Sequence, residues 1–253
     1  DGSISWLYYS DRLMEFPLGV LGVALGTVIL PNLSKKHAND APETFSHTID
    51  WGLRWMLLLG LPAAVGLFML SGPMIATLFQ SNVFDAEDVA MAQRSLMAYS
   101  LGLLSFITIK VLAPGYYARQ DTKTPVRYAV IAMVTNMVLN IILVFPLAHA
   151  GLALATTLSA SLNAYLFYKG LREVGIYRPE SGWMKQIVQA LLAAAVMGAL
   201  LFWGGAELQN WLEMTREERI WRLVGLIIAG AASYFAVLYA VGIRPYHFRS
   251  REA

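Results

Sequence analysis

Seven apolar stretches of membrane-crossing length, separated by short clusters of charge, constrain this chain more than any other feature. A helix needs about 20 mainly apolar residues to cross a bilayer. The stretches fall near 3–31, 52–71, 95–114, 126–147, 151–171, 186–204 and 221–242. They are too long for strands, and lipid offers no partners to an open sheet edge. Composition agrees: 57% hydrophobic and 14% charged residues leave too little charge to coat a water-soluble surface, where about 25% is usual. The expected fold class is an all-α polytopic membrane protein with about seven transmembrane helices.

The connections alternate in charge. Those after the first, third and fifth stretches, with the tail, hold twelve basic residues: Lys35, Lys36, Arg119, Lys123, Arg127, Lys169, Arg172, Arg178, Lys185, Arg244, Arg249 and Arg251. The other three connections hold four: Arg94, Arg216, Arg219 and Arg222. The positive-inside rule puts the first set and the C-terminus in the cytoplasm. The chain opens Asp1-Gly2-Ser3 without Met, and an odd span count with an outside start and no signal peptide suggests a segment of a longer protein. Zero cysteines exclude disulfides and thiolate sites. A net charge of +2 is too small to suggest nucleic acid as a partner.

Within the second connection, Pro73 to Phe79 reads as a short apolar helix, and Asp85-Ala86-Glu87-Asp88 as an acidic first helical turn. The sixth, Glu207 to Arg222, reads as an amphipathic interfacial segment. In the third, Pro114-Gly115 is expected to stop one helix, and Thr residues beside Pro125 to cap the next.

Polar groups inside the spans mark candidate sites. Asp11, Arg12 and Glu15 sit together in the first, and the i,i+4 pair Asp11 and Glu15 shares a helix face. Ionisable groups at membrane depth cost roughly 2.5–3.5 kcal/mol on insertion scales and usually face a bundle interior or a wet cavity. Arg12 either does this or snorkels from the helix end. Pro17, followed by Gly19, suggests a kink and a hinge. Lys110 either snorkels or points into a cavity as an anion ligand. Asn136, Asn140 and Thr156 lie on the fourth and fifth spans, where they hydrogen-bond between helices or ligate a hard cation. Catalytic constellations are absent: there is no P-loop, H-E-x-x-H or G-x-S-x-G. The four histidines fall in connections, and His37 and His47 read as solvated.

Two motifs carry a resemblance. Tyr8-Tyr9-Ser10-Asp11-Arg12-Leu13-Met14-Glu15-Phe16-Pro17, continuing to Leu30-Pro31-Asn32-Leu33-Ser34, resembles the MurJ/MviN lipid II flippases. So does Tyr116-Tyr117-Ala118-Arg119-Gln120-Asp121-Thr122-Lys123-Thr124-Pro125. The chain looks like the C-terminal half of an enterobacterial member of that family, within the multidrug/oligosaccharidyl-lipid/polysaccharide exporter superfamily. The resemblance implies a transporter and not an enzyme, in the bacterial inner membrane. It would flip lipid II, an undecaprenyl-pyrophosphate-linked disaccharide pentapeptide, to the periplasmic leaflet by alternating access. Its partners would be the N-terminal half of the same transporter and the phospholipid membrane. Residues 1–174 would form most of the second lobe, and 175–253 two extra helices with a lipid-tail groove and the tail. Arg12 matches the family's cavity arginine, and Asp11, Glu15 and Lys110 would join it in substrate binding. Asn136 and Thr156 match positions of a Na⁺ site found in some members, but Asn140 stands where that site has an acid. The resemblance therefore implies no cofactor beyond a weakened Na⁺ site, with membrane potential as the driving force. The alternative is a cation-coupled exporter of drugs or another lipid-linked glycan.

Overall fold

The computed structural model describes residues 3–38, 42–205 and 207–243. They form α1 (Ser3–Ala38), α2 (Pro42–Met69), α3 (Ser71–Phe79), α4 (Ala86–Ser100), α5 (Leu103–Tyr117), α6 (Lys123–Glu173), α7 (Trp183–Gly205), α8 (Leu208–Glu213) and α9 (Arg216–Ala240), with no strand among the described residues. Five of these helices are long and apolar enough to cross a bilayer, and α4 with α5 forms a sixth span bent by 41°. The 51-residue α6 is two legs. Its backbone breaks at Ala148 (φ 49°, ψ −129°), and Asn136 of the first leg lies 3.4 Å from Thr156 of the second, so the legs are antiparallel. Seven crossings result, as the hydropathy pattern predicts.

Helix ends depart from the apolar limits. Helix α1 runs on past its apolar stretch to Ala38, so His37 lies in helix and not in a connection. The third span begins at Ala86, where Asp85 and Asp88 complete a reciprocal capping box. Pro114 and Gly115 do not stop α5: it continues to Tyr117 with Pro114 buried inside it. A helical proline only frees one carbonyl, here that of Lys110, and packing outweighs that loss. The α6 start is capped by Asp121, whose Oδ1 accepts from the Thr124 N–H at 3.0 Å, while Thr122 makes no side-chain cap. Helix α9 opens with a capping box of Thr215 and Glu218.

The core lies where α1, α2 and α5 converge. A Cβ on Gly52 would come within 2.6 Å of Ile29 Cδ1 and 2.9 Å of Val111 Cγ1, so only glycine allows that approach without repacking. Ile29, Leu33, Ile49, Ile107, Val111 and Leu112 are fully buried around it. The second leg of α6 packs on α4 and α5. There the Thr157 hydroxyl donates to Ala98 O at 2.8 Å, and Tyr116 OH to Phe167 O at 2.8 Å. Helices α7 and α9 close the other side of α2, where Tyr234 OH donates to Leu58 O at 2.9 Å.

The bundle has a basic and an acidic end. At the acidic end, buried Arg219 donates to Ala76 O at 3.0 Å and Leu212 O at 2.8 Å, joining α3, α8 and α9. The Trp211 indole donates to Gly205 O. Such carbonyls at helix ends otherwise lack partners, and this arginine supplies them.

Candidate functional site

One face of α1 is open. Tyr8, Arg12, Glu15 and Gly19 follow one another at three- and four-residue intervals, and all four are exposed. That spacing keeps them on a single stripe. Arg12 NH1 lies 2.9 Å from Glu15 Oε2, and its guanidinium sits over the Tyr8 ring at 5.1 Å from the centroid. The carboxylate and the ring hold the guanidinium at the surface and leave N–H groups facing outward. Asp11, one position away, turns inward and is half-buried toward Tyr99 of α4. It takes no part in the Arg12–Glu15 ion pair, although both of those charges stand close enough to act on it.

Lys110 of α5 joins this face. It is exposed, and its Cγ lies 3.4 Å from where a Cβ on Gly22 would stand. Gly22 is ten residues along α1 from Arg12, about 15 Å at 1.5 Å per residue. Between them Gly19 has nothing within 4 Å of its Cβ direction. The fold thus places two cations along one open glycine-lined face. At that separation the two cations suit different parts of one long anionic ligand: the Arg12 guanidinium can bind phosphate oxygens bidentately, and the Lys110 ammonium acts as a separate point charge. Helix α1 runs continuously through Pro17, which is half-buried.

The polar residues of the α6 hairpin also come together. Asn136 Nδ2 faces Thr156 Oγ1 and Ser159 Oγ, each at 3.4 Å, and Asn140 Nδ2 donates to Asn136 Oδ1 at 3.0 Å. Both hydroxyls donate to carbonyls of their own helix. Asn140 Oδ1 is buried with no partner. A hard cation takes six or more oxygens, usually with carboxylates among them. This cluster is neutral, and no group of three or more His, Asp or Glu side chains gathers among the described residues.

Two clusters had no clear signal in the sequence. At the acidic end, the Trp6 indole donates to Asp88 Oδ1 at 2.6 Å, and the Trp6 ring meets His149 edge-on at 4.8 Å. His149 Nε2 lies 3.0 Å from Met91 O. His149 is therefore buried and bonded beside the break in α6, not free in a connection. At the basic end, Asp50 Oδ2 accepts from Arg54 Nε at 2.6 Å, and its Oδ1 from Tyr177 OH at 2.8 Å and Trp183 Nε1 at 2.7 Å. Burial, with Asp50 beside it, pushes the Tyr177 phenol up. His47 belongs to α2 and not to a connection; half-buried, it lies 3.7 Å from Glu180. His247 lies outside the described residues. Only an acid and an arginine four positions apart where the polar start of α2 gives way to its apolar run could have flagged the Asp50 cluster.

An apolar groove of about 490 Å³ runs between α2 and α7, with Leu61, Val65, Met69, Leu191, Phe202 and Trp203 in its walls.

Comparison with known proteins is consistent with this geometry. A family model described as lipid II flippase MurJ matches residues 1–220. The chain is 51% identical over 243 residues to a probable lipid II flippase MurJ of Vibrio cholerae, covering 96% of this chain and 46% of that protein. It is 47% identical to a probable lipid II flippase MurJ of Haemophilus influenzae, covering 99% of this chain and 50% of the relative. It is 42% identical to a lipid II flippase MurJ of Burkholderia cenocepacia, covering 99% and 49%. A solved lipid II flippase MurJ in an inward closed conformation superposes with a TM-score of 0.71 at 25% identity, over 94% of this chain and 48% of that one. The chain spans about half the length of the curated relatives it matches.

Proposed function

The chain belongs to the lipid II flippase MurJ family, and from that premise we propose that it supplies one lobe of a transporter that moves lipid II across the bacterial inner membrane. The observation that carries this reading is the open face of α1. Arg12 stands there, oriented by Glu15 and Tyr8, with Lys110 on the same face. Lipid II carries a pyrophosphate that such a face can hold while the sugar and peptide stay in water. The partner lobe comes from the remaining half of the transporter and covers this face. Alternating access then exposes it to one side at a time, with the Pro17–Gly19 segment as the hinge. The basic end and the C-terminus face the cytoplasm.

The unit 175–253 supports the lipid tail. The groove between α2 and α7 is lined by apolar side chains, which suits an undecaprenyl chain and no headgroup. The neutral Asn136, Asn140 and Thr156 cluster serves chiefly to join the α6 legs. Without a carboxylate it holds Na⁺ poorly, so membrane potential drives the cycle.

The test uses cells depleted of their own flippase and complemented with the full transporter that contains this chain. With Arg12 intact, lipid II reaches the periplasmic leaflet and growth is restored. Arg12→Ala at equal membrane abundance removes translocation, and Arg12→Lys restores part of it. Full rescue by Arg12→Ala would defeat the assignment of the pyrophosphate to this face.

A further inference from the structure

At the basic end, away from the open face of α1, a second cavity of about 290 Å³ lies between the starts of α2 and α7 and the end of α9. Its walls include two acids, Asp50 and Glu180, with Trp51, Arg54, Lys185 and Gln186. The carboxylate of Asp50 is consumed by its four donors, Arg54, Tyr177, Trp183 and the Glu180 N–H. Glu180 lies beside His47. Its carboxylate stays half exposed at 3.7 Å from that imidazole, on the His47 side of the cavity, and what remains uncommitted on the α7 side is a set of donors.

Gln186 is 5% exposed. Its Oε1 accepts from Arg54 NH1 at 2.7 Å, which fixes the amide orientation and leaves Nε2 buried with no partner. Buried amide donors are nearly always paired, so this one points to a ligand. Lys185 is exposed and makes no ion pair among the described residues. Both residues stand in the first turn of the 23-residue α7, where the dipole favours an anion; the Gln186 N–H already donates to Gly182 O at 3.1 Å, so its side-chain amide is the donor on offer. Arg54 uses three N–H groups, toward Asp50, Gln186 and Ser181, of the five it carries.

The setting selects the source of that anion. Trp51 lines the cavity and Trp183 donates to Asp50 in its wall, and tryptophan is a side chain that favours headgroup depth. Basic pockets between transmembrane helices at such a depth suit anionic lipid headgroups. We infer that this cavity binds the phosphodiester headgroup of an anionic phospholipid from the leaflet at the basic end, with Lys185 and Gln186 as its principal donors. The site shares no residue with the Arg12–Lys110 face, so it stands or falls apart from the translocation reading.

The full transporter containing this chain is reconstituted in phosphatidylcholine nanodiscs with a rising fraction of phosphatidylglycerol, and its thermal unfolding midpoint is followed. Phosphatidylglycerol raises the midpoint of the parent and of Lys35→Glu, a charge reversal elsewhere at the same end. Lys185→Glu loses most of that rise while matching the parent in phosphatidylcholine alone. Native mass spectrometry after partial delipidation then finds one fewer retained phosphatidylglycerol on Lys185→Glu. Three results would overturn the assignment: an undiminished rise for Lys185→Glu, a loss for Lys35→Glu as large as for Lys185→Glu, or the same rise from millimolar inorganic phosphate without the lipid, which would make the occupant a free anion.

Discussion

Asp50 and Trp183 meet across 133 positions of sequence, the indole Nε1 donating to the carboxylate at 2.7 Å. This contact ties α2 to the first residue of α7. The register persists, with Arg54 on Gln186 and Val65 against Gly198, so the two helices run parallel along their length. Asp50→Ala leaves Tyr177 OH, Trp183 Nε1 and Arg54 Nε without their acceptor, while Arg54 keeps Gln186 and Ser181. Breaking a buried pair by removing one partner costs about 3–5 kcal/mol; Arg54 is 17% exposed, which places the expected loss near the lower end. A thermal unfolding midpoint for the purified protein checks this, and Asp50→Asn should lose less because it keeps an acceptor.

Asp88 does two jobs. Its Oδ2 accepts from the Asp85 N–H at 3.1 Å, completing the α4 cap, and its Oδ1 takes the Trp6 indole. A cap is worth about 1 kcal/mol, and a hydrogen bond to a charged group about 1.5–3 kcal/mol. Asp88→Ala is therefore expected to destabilise more than Trp6→His, which shortens the ring but does not touch the cap. A double-mutant cycle should give a coupling above about 0.5 kcal/mol; additive losses would show that the two side chains do not bond.

The turn between the α6 legs offers a pair of opposite outcomes. Ala148 holds φ 49°, ψ −129°, close to the first central position of a type II′ turn, where glycine is favoured. Ala148→Gly is expected to stabilise by about 1 kcal/mol as the left-handed strain is relieved. Gly151→Ala does the reverse, because its Cβ would stand 2.2 Å from Leu143 O. Backbone cannot yield as a side-chain tip can, and overpacking costs typically about 1–3 kcal/mol. Unfolding midpoints of the two variants should move in opposite directions.

The Thr124 N–H holds the Asp121 carboxyl below the usual carboxylate range. Its folded pKa is lower than its unfolded one, so its contribution is complete above the ordinary aspartate value of about 4. That contribution fades as pH falls through the lowered folded value. Asp121→Ala should lower stability at neutral pH by about 1 kcal/mol, as for a lost cap, and the gap to the parent should close in acid. A gap that stays constant down to pH 2 would show that the carboxylate charge is not what stabilises the turn.

Local sequence was enough to place Asp11, Arg12, Glu15 and Lys110 inside apolar spans, to mark Asp85–Asp88 as a helix start, and to count the crossings. Each of these follows from the cost of leaving a charge or a backbone group unsatisfied in lipid, and that cost can be read from neighbouring residues alone. Packing was not readable in the same way. Pro114 looks like a stop, yet α5 continues through it, because Tyr116 beyond it is buried and bonded to Phe167. His149 reads as a turn residue until Trp6 and Met91 come to it from 143 and 58 positions away.

What the sequence by itself determined, then, is the class of the molecule, the number of its spans with the charge alternation between them, and which ionisable groups lie within them. Tertiary structure alone decided which of them meet. It paired Arg12 with Glu15 and turned Asp11 away, brought Lys110 from another helix to the same open face, and buried Asp50 among donors more than 120 positions distant. The physical reason is range. Desolvation acts on each residue where it stands, whereas a hydrogen bond or ion pair needs two groups within a few ångströms, and helix packing sets that distance.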